Sequence, residues 1–287
     1  MAGALLLLPA TFYIFALVGV PFLLAIFYGV TDIKVASDGY EIVGARNFRG
    51  ILASPTFRLA LRNSFLFAVS SQVLVIACAT ALALALQEPF RGRRAVRFLI
   101  LLPWVAPISL GAIGWKWILD SIYSVINWVL AAAGLVNPME PPMWLGEPGL
   151  AMVSVVTVHV WRMLPFATVV LLAGLTSIPR DIPEAAAVDG AGFWRTHFGV
   201  TLPMIRPIVL VASLFGIIFT FTDMAVVYIL TRGGPHDATQ VLPSLAFFTG
   251  ILGGDLAGGA AISLFLFPLL LAAALLMLRV ARRSEVT

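Results

Sequence analysis

Six stretches of this chain run for twenty residues or more with hardly a charge: 4–30, 59–86, 98–119, 150–177, 208–230 and 256–280. A helix crosses the hydrocarbon layer of a bilayer with about 20 apolar residues, so each stretch predicts one transmembrane helix. Two further apolar stretches, 123–134 and 241–252, are too short to span and predict interfacial or re-entrant helices. The predicted fold class is therefore an all-α membrane protein of six transmembrane helices. Its parts are residues 1–43, the first helix and the start of an outer loop, and residues 44–287, a core of five helices.

The polar positions are concentrated between these runs, above all at 184–203, EAAAVDGAGFWRTHFGVTLP. Pro183 and Glu184 suit a first helical turn, the proline by its fixed φ and the carboxylate by the helix dipole. Ala185, Ala186 and Ala187 favour helix and present little side chain, so a second surface can approach closely. Gly190 and Gly192 suit a sharp bend. Leu202-Pro203 and Arg206-Pro207 restrict the chain before the next apolar run. The pattern predicts two short helices at an angle, a compact knob within a loop spanning 177–206.

Composition supports a lipid environment. Of 287 residues, 61% are hydrophobic and 11% charged, where soluble domains carry about 25% charged residues. The first run has no basic flank and no small-residue cleavage site, which favours a membrane helix over a signal peptide. The lone cysteine, Cys78, sits in an apolar run and excludes an intrachain disulfide or a cysteine metal cluster.

Charge then orients the chain. One set of loops holds ten arginines (91, 93, 94, 97, 180, 195, 206, 279, 282, 283) against five acids (88, 181, 184, 189, 285). The other set holds seven basic residues against eight acids. The arginine-rich side is expected to be cytoplasmic, which puts both termini and the knob inside. The net charge of +4 thus reads as a topology signal, with no case for nucleic-acid binding.

Only two lysines occur, Lys34 and Lys116, and neither follows a phosphate-cradling glycine loop. No metal-ligand spacing or nucleophile–base set stands out. A membrane-embedded enzyme would have to use His159 and Asp223, and no motif supports them. A secondary transporter would show internal repeat symmetry, which is not evident.

Charges within a membrane are costly and face a cavity or each other. Arg162 lies mid-span in the fourth run and Asp223 mid-span in the fifth. Gly216, Thr220, Asp223 and Val227 recur at helical spacing and are expected on one face. Arg162 and Phe166 are one turn apart near Pro165, and Trp104 lies between Pro103 and Pro107. Aromatic faces with a few aimed polar groups suit a sugar. The alternatives stay open: Arg162 and Asp223 pairing with each other, Trp104 and Phe166 as ordinary packing, His159 and Gln72 as interhelical hydrogen-bonding contacts.

The 184–203 stretch resembles the coupling loop of permease subunits of binding-protein-dependent ABC importers, E-A-A-x3-G-x9-I-x-L-P, with Val200 in place of the usual Ile. Other pieces resemble sugar importers of the maltose-transporter type: Gly44-Ala45-Arg46-Asn47-Phe48, Leu61-Arg62-Asn63-Ser64, Leu102-Pro103-Trp104, Val160-Trp161-Arg162-Met163-Leu164-Pro165-Phe166 and Thr231-Arg232-Gly233-Gly234-Pro235. The resemblance implies a type I importer permease of the cytoplasmic membrane that carries a mono- or disaccharide, with a sugar phosphate such as glycerol 3-phosphate as the alternative. It implies a second, homologous permease subunit, two ATPase subunits that bind ATP and Mg, and an extracytoplasmic solute-binding protein. No cofactor is expected in this chain. Coupling to the ATPase falls on Glu184, Ala185, Ala186, Asp189, Gly190, Leu202 and Pro203. Solute contacts, carried over by local motif, fall on Trp104, Ile108, Arg162, Met163, Phe166, Gly216, Thr220 and Asp223. Ile108 and Gly216 stand where the relatives have hydroxyls, and Arg162 and Asp223 where they have uncharged residues, which implies a different solute.

Overall fold

The computed structural model describes residues 2–284, with side chains from 6 to 280. Glu285 and the side chains of Arg282 and Arg283, counted above with the arginine-rich side, lie outside the described residues. Among the described residues the structure is helical, apart from an isolated bridge between Thr31 and Ile42.

The first span joins α1 (Ala2–Ile14) and α2 (Val20–Gly29) through a π-helical turn. A short α3 (Arg46–Ala53) leads into α4 (Pro55–Gln87), 33 residues long. Ser54 caps α4 by accepting the Phe57 N–H, and Pro55 occupies its first turn. The third predicted span is not one straight helix. α5 (Arg93–Val105) and α6 (Ile108–Ile118) meet at 95°. The reason is Pro107: it lacks an N–H and drives Ala106 to extended backbone (ψ 141°). The first short apolar run is α7 (Val125–Ala132), and α8 (Pro148–Ser177) follows as 30 unbroken residues, continuing through Pro165.

The knob comprises α9 (Asp181–Val188), α10 (Phe193–Thr196), a π-helical turn and α11 (Leu202–Met204). The chain turns by 73° at Ile205 into α12 (Arg206–Thr222). The fifth span is also interrupted: α12 stops at Thr222, Asp223 is extended, and α13 (Ala225–Leu230) restarts the helix. The second short run is α14 (Leu242–Phe247) followed by a π-helical turn, and α15 (Leu256–Leu264) and α16 (Leu266–Ser284) complete the last span. Among the described residues four helical stretches are thus long and apolar enough to cross a membrane, and up to six if each bent pair counts as one.

Packing is centred on α8 against α4. Small residues line their contact, including Ala79, Ala83 and Ala167, and let the backbones approach. Phe67, Val155, Val158, Val226 and Leu230 form a second cluster that joins α4, α8 and α13. The motif pieces noted in the sequence also meet here. The Asn63 amide donates to the carbonyls of Asp237 and Gln240, and Ser64 Oγ accepts from Leu242 N–H, tying α4 to the segment beyond the fifth span. The Asn47 amide ties the first span by donating to Gly29 O and Thr31 O.

Candidate functional site

The knob is held together by little of its own. Gly190 turns the chain at φ +79°, a left-handed conformation that a β-branched residue adopts only under strain. Glu184 and Asp181 stand in the first turn of α9, as the dipole favours. The exposed surface is apolar: Val188, Phe193, Trp194 and Phe198 all face outward, and Trp194 stacks on Phe198 at 5.8 Å. His197 is buried behind this surface beside Phe193 and Phe198, and its Nδ1 has no hydrogen-bond partner. Burial holds the imidazole below its ordinary pKa.

Behind the knob lies a cavity of about 1910 Å³. One wall is a face of α4 that runs from Gln72 through Ile76 and Thr80 to Leu84. The opposite wall is Ser213, Val209 and Arg206 on α12, and Leu175 and Thr176 at the end of α8 contribute the back. At the top, α4 and α12 come together where the Gln72 side chain rests on Gly216. A Cβ at Gly216 would meet the Gln72 amide, which would have to swing aside.

Above this crossing is a buried polar cluster. Asp223 Oδ2 sits 2.9 Å from His159 Nδ1 and accepts from Arg162 Nη1 at 3.2 Å. Asp223 Oδ1 accepts the N–H groups of Ala225 and Val226, so the carboxylate caps α13. His159 Nε2 lies 2.9 Å from Thr220 Oγ1, which is also 2.7 Å from Gly216 O. Two proton arrangements satisfy this geometry. In the neutral one, Nδ1–H donates to the carboxylate and the Thr220 hydroxyl donates to Nε2. In the other, imidazolium donates at both nitrogens and the hydroxyl turns to Gly216 O. Asp223 and His159 are nearly fully covered, whereas the Arg162 side chain is 29% exposed. Sequence spacing expected Asp223 on the helical face of Gly216 and Thr220. α12 ends just before Asp223, yet the carboxylate and the Thr220 hydroxyl still meet the same His159 ring on α8.

Beside Arg162 the rings of Trp104 and Phe166 stack at 5.1 Å and 24°. Phe219 meets both edge-on, at 5.7 and 5.9 Å, and Phe215 extends the wall. The arrangement joins an aromatic surface from three helices to one guanidinium whose charge Asp223 offsets. No group of three or more His, Cys, Asp or Glu that could hold a metal ion occurs among the described residues.

Over residues 74–286 the sequence matches the family described as "Binding-protein-dependent transport system inner membrane component". The chain belongs to this family. As a permease subunit of that family it is 35% identical, over 240 residues, to the trehalose/maltose transport system permease protein of Thermococcus litoralis, covering 84% of this chain and 80% of that protein. It is 30% identical over 289 residues to a diacetylchitobiose uptake system permease protein of Streptomyces coelicolor, covering 99% of this chain and 88% of the relative. The fold superposes on a chain of a bacterial alginate ABC transporter, solved with a periplasmic protein carrying an alginate pentasaccharide, at TM-score 0.81 and 21% identity, over 98% of this chain and 93% of that one. The permease therefore has the fold of a type I ABC importer subunit, and it is a transport subunit of the membrane.

The residues expected at the solute site fall into two groups in this permease. Trp104, Phe166, Ile108 and Arg162 are half-buried around the aromatic wall and the α5–α6 elbow. Met163 is packed in the α4–α8 core, and Gly216, Thr220 and Asp223 are buried. Phe215 and Phe219 were not singled out by sequence reasoning. Their spacing of four, one position before Gly216 and Thr220, was the available signal. His159 is an interhelical contact, and its partners are Asp223 and Thr220.

Proposed function

We propose that this permease is one half of the pore of an ATP-driven importer that moves a neutral mono- or disaccharide across the cytoplasmic membrane. The observation that carries this reading is α12, a lever with the knob at one end and Asp223 at the other. At 1.5 Å per residue its 17 residues span about 25 Å. A push on the knob tilts α12 and so reaches both Gly216 and the Asp223 cap.

In this reading the knob, with Glu184, Ala185, Ala186, Asp189, Gly190, Leu202 and Pro203, docks on a separate ATPase subunit that binds ATP and Mg. Two such subunits serve two permeases. The second permease closes the pathway, since a route formed from one bundle opens to lipid. The large cavity is the inner half of that route, and the knob and both termini lie on the cytoplasmic side with the arginines. An extracytoplasmic solute-binding protein docks on the loops at 120–149 and 232–255. ATP binding draws the knobs together and exposes a midplane site to the outside, and release returns it inward.

Trp104 and Phe166, with Phe219, supply stacking surface for a sugar ring, and Arg162 supplies donors for its hydroxyls. Ile108 borders this site. Asp223, Thr220 and Gly216 position it from behind. A sugar phosphate fits less well, because Asp223 already neutralises Arg162. The relatives named above, one for trehalose and maltose and one for diacetylchitobiose, favour an uncharged disaccharide.

The test is uptake by proteoliposomes that hold the permease with its partner permease, ATPase and binding protein. Labelled trehalose, maltose, diacetylchitobiose and glycerol 3-phosphate are compared. The expected outcome is ATP-dependent entry of at least one neutral sugar. Entry of glycerol 3-phosphate alone, or entry without ATP, refutes the reading.

A further inference from the structure

The strongest unexplained polar group in the permease is Gln72. It stands at the top of the 1910 Å³ cavity, on α4, with its amide lying against the bare Cα of Gly216. Its Nε2 is covered by protein and has no hydrogen-bond partner. An unfilled buried donor is destabilising and is uncommon unless something else fills it. The surroundings leave space for the amide without satisfying it. Gly216 has no side chain, and a Cβ there would collide with Gln72. Gly216 O meets Thr220 Oγ1 instead, and through Thr220 it connects to His159, Asp223 and Arg162. The amide thus marks the boundary between the polar cluster and the cavity below it.

We propose that Gln72 is a specificity-determining contact of the transported solute: its Nε2 donates to a solute hydroxyl as the molecule passes between the aromatic wall and the inner cavity. This rests on the reading of the cavity as the inner half of the route. The chemistry suits a polyhydroxylated, uncharged solute, because a primary amide offers both a donor and an acceptor and carries no charge. The tilt of α12 changes the separation of Gly216 from α4. It therefore opens or closes the gap that the Gln72 side chain fills, so one motion both admits the solute and frees the amide.

Two measurements test this in the assembled transporter. In the first, Gln72→Cys is made in a Cys78→Ser background and treated with a small membrane-impermeant maleimide on inside-out and right-side-out vesicles. Labelling from the cytoplasmic face is expected, and its absence overturns the proposal even where the transported sugar is unknown. In the second, Gln72→Leu and Gln72→Met, which keep the volume but remove the amide, are compared with wild type in uptake of trehalose, maltose and diacetylchitobiose. A KM raised about 3–10-fold, the worth of one neutral hydrogen bond, together with an altered order of preference among the sugars, supports it. A loss confined to Vmax, with KM and sugar order as in wild type, marks a packing residue and overturns it. If wild type moves none of the sugars, the sugar reading fails on its own. Gln72 is then judged by whether the solute that does stimulate the ATPase protects the cysteine from the maleimide, and lack of protection overturns the proposal.

Discussion

At the residue scale, Asp223 organises the membrane interior. Its carboxylate satisfies His159, Arg162 and two backbone N–H groups at once. Asp223→Ala would leave the buried His159 and the partly exposed Arg162 without their acceptor and uncap α13. Losing one partner of a fully buried ion pair costs about 3–5 kcal/mol, and the exposure of Arg162 puts this change below that range. The expected outcome is poor expression and a lowered melting temperature of the complex. Arg162→Met leaves Asp223 with its other three contacts, so it should cost less stability and more uptake. Thermal unfolding and sugar uptake measured on both variants check this, and the opposite ranking would show that the cluster is not built around the carboxylate. Both charges were legible in the sequence because each interrupts an apolar run. His159 was legible as an interhelical contact but its partner was not: His159 and Asp223 are 64 positions apart, and only folding brings them together. Helical spacing put Asp223 with Thr220, and both meet His159, but periodicity could not show that α12 stops one residue before Asp223.

At the element scale, the knob was legible in detail, since its alanines, glycines and prolines act through local backbone preference. Gly190→Val should strain the turn at φ +79° by about 1–3 kcal/mol. The knob then misfits its socket: solute-stimulated ATPase activity and uptake fall together, while the binding protein still binds sugar. His197 adds a pH dependence. Burial lowers its pKa from 6.5, so the folded knob binds fewer protons than the unfolded chain as pH falls through that value. Stability present above about 6.5 is lost on acidification until the folded pKa is passed. Hydrogen-exchange protection factors across residues 181–204, corrected for the intrinsic pH dependence of exchange, should therefore fall between pH 7 and pH 5.5. His197→Phe, which keeps the ring packing and removes the titration, should flatten that response. The α5–α6 elbow shows the limit of such reading. Pro107 announces a break, but the 95° turn depends on how α6 packs against α13 and Trp161 on α8.

At the scale of the whole molecule, hydropathy gave the number and order of the membrane runs. Which helices pack together depended on small residues whose role shows only in contact. The first span is the clearest remainder: from residue 6 to residue 18 it is almost wholly exposed, with Leu6, Phe12, Leu17 and Val18 all uncovered. Lipid or the second permease is what such a surface requires. Orientation is the property on which the proposed assembly most depends, because the knob can reach an ATPase only from the cytoplasm. Val188 at the knob and Met139 beyond α7 are both almost fully exposed, at 88% and 87%. A cysteine at either position, with Cys78 replaced by serine, can therefore react without disturbing the core. An impermeant maleimide should label Val188→Cys only in inside-out vesicles and Met139→Cys only in intact cells. The arginine asymmetry predicts this outcome, and the lever argument needs it. Labelling of Val188→Cys from outside would separate the knob from any cytosolic ATPase and remove the mechanical basis of the proposed import.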